Sequence, residues 1–140
     1  MILSDTGFWL ALINRNDRYH THAVAAMQDL AENLVTTWPV VTETCHLLGR
    51  FLGVEAQTAF VEMLRSGWVE LADIGEQDLA RIGRLMEKYE DLPMDLADAS
   101  LVILAERLGH GRILSTDRRD FQTYRWKNRE PFENLLLTDY

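Results

Sequence analysis

An α/β fold, with a short and mostly parallel central sheet flanked by helices, is what this 140-residue chain predicts. Three observations carry that expectation. Brief apolar, β-prone runs alternate with helix-length segments, the pattern of right-handed βαβ units around a parallel sheet. One long segment, residues 96–108 ("LADASLVILAERL"), is mostly apolar and reads as a helix buried in a core. No internal repeat, low-complexity tract or Gly/Pro/Ser-rich linker interrupts the sequence, so residues 1–140 form a single domain.

The elements follow in order. "MILSDT" supplies a short buried strand and "GFWLALIN" a helix. A polar loop, "NRNDRY", precedes "HTHAVAAMQDLAENL", an amphipathic helix running to Leu34. "VTTW" is a short β-prone run, and Pro39, favoured in a first helical turn, opens "PVVTETCHLLGRFLG". "VEAQTAFVEMLRSG" continues as helix to Gly67, and "WVELADI" alternates like a strand. "GEQDLARIGRLMEKYED" is a helix with mixed charge on its outer face. The buried helix stops at Gly109, in a Gly-His-Gly stretch suited to a C-terminal cap. "RILST" then reads as a buried strand and "ENLLLTD", residues 133–139, as a last one.

Composition narrows the class. Fourteen basic and 22 acidic residues leave a net charge of −8, which argues against nonspecific polyanion binding by the whole surface but leaves room for a local site. No apolar run reaches the roughly 18 residues of a membrane span. The start, "MILSDTGFW", has no basic n-region and carries Asp5 early, so it does not read as a signal peptide. The single cysteine, Cys45, forms no internal disulfide and fits a reducing, cytoplasmic setting as a small core residue.

Four acids stand out by position. In a parallel sheet, strand C-termini and helix N-termini share one edge, and ligands bind in a crevice there. Asp5 ends the first strand, and Glu43 lies about one turn into the helix after "VTTW". Asp98 is in the first turn of the buried helix, and Asp117 follows "RILST". Asp95, three residues before Asp98, has the place of an N-cap, with Asp98 as an acidic variant of the capping box. Carboxylates at a helix start also suit its dipole. For Asp98 the company of the other acids favours a second role, that of a metal-site ligand on a rigid helix, with Asp95 as its cap.

Such a cluster is costly to keep charged. Two unit charges ~4 Å apart repel by about 4 kcal/mol at an effective dielectric of 20, against a domain stability of roughly 5–15 kcal/mol. Protonation or a cation must relieve the crowding. Oxygen ligands without Cys or His favour a hard divalent ion, Mg²⁺ or Mn²⁺.

Three stretches, "MILSDTGFWLALIN", "VVTETCHLL" and "LADASLVILAERLGHGRILSTDRRDF", together resemble the PIN-domain ribonucleases, especially the VapC-type toxins of toxin–antitoxin pairs. The resemblance spans nearly the whole chain, with the motifs in order. It implies an α/β/α sandwich whose acids bind Mg²⁺ or Mn²⁺ for hydrolysis of RNA phosphodiesters. Carried over by position, the acids are Asp5, Glu43, Asp98 and Asp117, with Asp5 and Asp98 expected as the most direct ligands. A small antitoxin whose C-terminal segment fills the active-site groove is implied as partner, and a homodimer is expected, with the helix "VEAQTAFVEMLRSG" a source of contacts. Two departures concern hydroxyls. Gly7 stands where the family often has Ser, and Ser115 where it usually has Thr.

Other motifs carry weaker signals. "DTG" at residues 5–7 also occurs in aspartic proteases, but those are all-β, unlike this helix-rich chain. "DRRDFQTYRWKNRE" interleaves Arg118, Arg119 and Arg125 with Phe121, Tyr124 and Trp126, a composition suited to phosphates and exposed bases. It equally describes a solvated segment with core aromatics, in which Asp120 caps the next turn. Arg15 and Arg18, after the first helix, are a second candidate phosphate contact. His20, His22, His46 and His110 have no zinc spacing. Two rival functions remain: a phosphate-handling protein of the response-regulator receiver kind, and a non-catalytic module that keeps the acids as a scaffold. A receiver needs a Lys just after a late strand, where "RILSTDRRDF" offers Arg118.

Overall fold

The computed structural model describes residues 1–138. The strand β1 (Ile2–Ser4) is buried along its whole length. It leads into α1 (Thr6–Ile13) and α2 (His20–Gln28). Next come β2 (Leu34–Thr37), α3 (Trp38–Phe51), α4 (Val54–Arg65) and β3 (Val69–Ala72). A short 3-10 turn leads into α5 (Leu79–Lys88), followed by α6 (Leu96–Leu108), β4 (Arg112–Leu114) and α7 (Arg118–Thr123). A two-residue-per-strand antiparallel hairpin, β5 (Arg125–Trp126) with β6 (Glu130–Pro131), precedes β7 (Glu133–Asn134).

Five strands form one sheet in the order β3-β2-β1-β4-β7. Every pairing in it is parallel, so "mostly parallel" understated the regularity. No helix among the described residues is long and apolar enough to cross a membrane.

The core follows from side-chain periodicity. Helix α6 buries Ala97 and every residue from Ala99 to Ala105, which is why its sequence is apolar nearly all round. It ends at Gly109 in the left-handed conformation (φ 76°) that glycine adopts without steric cost. On the α1 side, fully buried Phe8, Trp9 and Phe60 stack edge to face or tilted at 5.2 and 5.3 Å. The Trp9 indole N–H donates to Ser4 Oγ at 3.0 Å, so the core's largest ring leaves no polar group unpaired.

Two element boundaries differ most from those read in the sequence. Helix α2 stops at Gln28, and Leu34 is the first residue of β2, paired with Ile2 and Val69. A buried place between two parallel neighbours outweighs helix propensity there. The last strand, expected over residues 133–139, is only Glu133–Asn134; Leu136 and Leu137 are buried without joining the ladder, and residue 139 lies outside the described residues. The hairpin was not foreseen: Lys127 and Asn128 take positive φ (49° and 64°), a turn without the usual glycine.

Candidate active site

Strand order fixes where a ligand binds. From β1 the chain crosses to β2 and β3 on one side, then returns to place β4 on the other side of β1. The crossovers diverge between β1 and β4, and the crevice beyond their C-terminal ends is the ligand site of such sheets. Asp5 leaves β1 there, and Ser115, Thr116 and Asp117 leave β4 beside it. Helices α1, α3, α6 and α7 begin at the same edge, capped by the side chains of Asp5, Thr37, Asp95 and Asp117.

All four acids expected from the sequence line one cavity of about 230 Å³: Asp5, Glu43, Asp98 and Asp117. Asp95 and Asp120 line it too. Buried Asp5 accepts from the Phe8 backbone N–H at 2.8 Å through Oδ1 and from the Ser115 hydroxyl at 2.5 Å through Oδ2. Ser115 is in turn held by Asn134, whose side chain accepts from the Ser115 N–H (3.2 Å) and donates to the Ser115 carbonyl (2.9 Å). Asp95 accepts from the Asp98 N–H at 2.8 Å, as its expected capping role requires. A 2.6 Å hydrogen bond between the Thr37 and Ser100 hydroxyls ties the start of α3 to α6, and Glu43 faces Asp95 across that junction.

The acids crowd one another electrostatically. Burial, then the charges of Asp117 and Glu43, pushes the Asp5 carboxyl up to about 7, although Ser115 and the Phe8 N–H pull it down. Burial and the neighbouring Asp95 push Asp98 to about 8, against the opposing Tyr124 hydroxyl. Asp120 is raised to about 6, by burial and then by Asp117. Glu43 is raised as well, by burial first and also by Asp95, with the adjacent Thr6 hydroxyl working the other way. Carboxyls whose titration is lifted above the ordinary range are the signature of a pocket short of positive charge. Among the described residues, only Arg119 forms an ion pair with any of the six, at 3.4 Å from Asp120.

The donor set fits a hard divalent cation in its chemistry: oxygens alone, mostly carboxylate. Thr6 lines the same cavity at 8% exposure and sets its hydroxyl beside Glu43, a further oxygen on the same wall. Among the described residues no three acidic, His or Cys side chains converge closely enough to form a ready ligand set, so the fit is one of composition and charge.

Two participants escaped the sequence reading. Asp120 was assigned the cap of the following turn, whereas the cap is Asp117, which accepts from the Asp120 N–H at 3.1 Å. Asp120 is instead the third residue of α7, 8% exposed and turned to the cavity. Tyr124, read among candidate base-stacking aromatics, is fully buried and donates its hydroxyl to Asp98 Oδ2 at 3.1 Å. Phe121 is likewise in the core at 2% exposure, packed edge-on against Tyr124 and Phe132.

The candidate RNA contacts divide. The Arg119 side chain is exposed beside Asp120. Arg118 lines a separate small cavity with Phe121 and Phe132. Arg125 turns its guanidinium onto the carbonyls of Gln122, Thr123 and Tyr124, a C-terminal cap for α7 that competes with any phosphate role. Arg15 and Arg18 are not next to the site: α1 starts at Thr6, just after Asp5, and carries the chain about 12 Å away before that loop begins.

A parallel sheet with this strand order and an acid-lined crevice at its switch point defines a class. The chain matches the PIN domain family over residues 2–127, and it belongs to that family. Among curated proteins, it is 32% identical over 124 residues to Ribonuclease VapC26 of Mycobacterium tuberculosis, spanning 89% of this chain and 92% of that one, which makes it a VapC-type member. Its fold is shared with the crystal structure of Mycobacterium tuberculosis VapC20, a sarcin–ricin loop cleaving toxin, at a TM-score of 0.78 and 22% identity, over 84% of this chain and 90% of the other. The receiver reading gives way here, since that class orders its strands 2-1-3-4-5 and this sheet does not.

Proposed function

We propose that this protein is a Mg²⁺- or Mn²⁺-dependent endoribonuclease, the toxin of a toxin–antitoxin pair. The observation that carries the reading is the gathering of six carboxylates on one crevice with a single ion-paired arginine among the described residues. The relationship to a named ribonuclease and the fold of a named toxin supply the reaction class. Asp5 and Asp98 are the direct ligands in this reading, with Asp117 and Glu43 acting through water or on a second ion. A bound divalent ion supplies positive charge for a phosphoryl oxygen and acidifies a water for in-line attack.

The chain's own residues do the rest. Ser115 and the Phe8 N–H hold both oxygens of Asp5, and Tyr124 holds one oxygen of Asp98, so each carboxylate has a fixed orientation. The rigid start of α6, capped by Asp95, holds Asp98 relative to the sheet. Arg119, exposed at the rim, is available to the RNA backbone.

Cleavage of RNA by the purified protein with Mg²⁺ or Mn²⁺, abolished by EDTA and by Asp98→Asn, is the expected result. Cleavage that survives both controls excludes this mechanism. Metal-dependent stabilisation without cleavage of any of a varied set of RNAs points instead to the non-catalytic scaffold. A nuclease of this kind endangers its own cell, so an inhibitory antitoxin belongs to the proposal. Phe51 (68% exposed) and Val54 (66% exposed), where α3 meets α4, offer apolar surface for that partner or for a second copy. Coexpression with a small neighbouring reading frame yields a stable complex if the partner exists, and light scattering of the free protein reports a dimer.

A further inference from the structure

Gly7, in the first turn of α1, has a neighbour in the place of its missing side chain. A Cβ built there falls 1.9 Å from Thr116 Oγ1, 3.2 Å from Thr116 Cβ and 3.6 Å from Asp5 Oδ1. The Thr116 hydroxyl therefore fills the volume of a residue-7 side chain, little more than one covalent bond from that Cβ, inside the acid-lined cavity that Thr116 and Gly7 both border.

A phosphodiester in that cavity brings only acceptors, and the cavity is poor in free donors. Carboxylates accept when charged. The first-turn N–H groups of Phe8, Val40, Asp98 and Asp120 already serve the caps Asp5, Thr37, Asp95 and Asp117. Among the hydroxyls, Ser115 gives its proton to Asp5, and Thr6 Oγ1 is sealed from solvent. Thr116 is only half-buried, and glycine at position 7 is what lets its hydroxyl enter.

We infer that Thr116 is a substrate-positioning residue, donating its hydroxyl proton to a non-bridging oxygen of the scissile phosphate from the space that Gly7 leaves open. The inference rests on the ribonuclease reading. It assigns a task to a residue of the β4–α7 loop that lies between, and not among, the acids.

The test is a swap of the hydroxyl between two chain segments. Thr116→Val, close in shape but without a donor, lowers kcat/KM for RNA cleavage about 10- to 100-fold, the worth of one hydrogen bond to a charged group. Thr116→Ser recovers most of that loss. Gly7→Ala, which pushes a methyl into the hydroxyl's place, loses activity with Thr116 intact. Gly7→Ser combined with Thr116→Ala supplies the hydroxyl from α1 and recovers cleavage relative to Thr116→Ala alone, which a purely structural role for Thr116 does not explain. Thermal midpoints confirm that each variant is folded; if Gly7→Ala is not, the swap decides. Metal-dependent cleavage by Thr116→Val at the wild-type rate, or a swap no more active than Thr116→Ala, overturns the inference and leaves the nuclease reading standing. A wild-type protein that cleaves no RNA while binding the metal overturns both.

Discussion

Carboxylates at the two ends of one sheet are treated in opposite ways. At the N-terminal edge, Glu32 takes both arms of the Arg112 guanidinium at 2.8 and 2.9 Å and the chain's terminal amine at 2.6 Å. Those hydrogen bonds hold its carboxyl down at about 2. At the C-terminal edge, one strand length away, Asp5 has neutral donors and acidic neighbours, and burial lifts its carboxyl to about 7. Asp78 and Glu106 are likewise paired with arginines, Arg107 and Arg81. Asp98 and Asp120 follow Asp5. The chain pairs the structural acids Glu32, Asp78 and Glu106 with arginine. Among the described residues the crevice acids have one such pair, Arg119 with Asp120, and in the proposed function a cation from outside supplies the rest.

The contrast gives opposite signs with pH. Glu32 titrates below its ordinary value, so its contribution to stability is present above the usual carboxylate range and is lost as pH falls toward about 2. Asp5, Asp98 and Asp120 titrate above theirs, so in the metal-free protein their contribution to stability is greatest below the usual carboxylate range and is lost as pH rises from there through about 6 to 8.

The sharpest way to break the comparison is Asp98→Asn. Cleavage falls by more than about 100-fold, exceeding the usual effect of removing a residue that merely supports a metal ligand. At the same time the metal-free variant melts higher than wild type at pH 8, by about 3 °C, a shift corresponding to roughly 1 kcal/mol. A variant that loses activity and stability together shows Asp98 to be an ordinary structural acid. Next in size is Tyr124→Phe. Losing the hydroxyl that favours the charged form of Asp98 lowers cleavage about 10-fold and moves the acid limb of the pH–rate profile upward. A profile that stays in place removes Tyr124 from the site. Smallest is Glu32→Gln, which leaves cleavage unchanged and lowers thermal stability slightly, less so in high salt because the pairs are at the surface. Lost cleavage there contradicts the division of the acids into two groups.

The legible part of this architecture was the part written in local periodicity. Alternation of strands and helices, Pro39 at the start of α3, Gly109 at the end of α6 and the placement of Asp5, Glu43, Asp98 and Asp117 on one edge all follow from short-range pattern plus one topological rule. What escaped depends on tertiary placement. Helix α7 has six residues, too few to show which face is buried, so the sequence did not show that Asp117 is the cap as well as a cavity acid, or that Asp120 lines the cavity beside it. The Tyr124–Asp98 bond joins residues 26 positions apart and leaves no mark in either neighbourhood. Gly7 and Ser115 read as lost or altered hydroxyls, and the geometry of Thr116 beside Gly7 is invisible until β1 and β4 are set side by side.

The claim on which the rest stands is that the acid crevice is built to be neutralised by a divalent cation. Thermal unfolding with and without Mn²⁺, at pH 5 and pH 8, measures it directly on wild type and Asp98→Asn. The account predicts a clear rise in midpoint with Mn²⁺ at pH 8, little at pH 5 where the carboxyls hold protons instead, and loss of the pH 8 effect in Asp98→Asn. An unchanged wild-type midpoint at pH 8, or an equal rise in the variant, contradicts it.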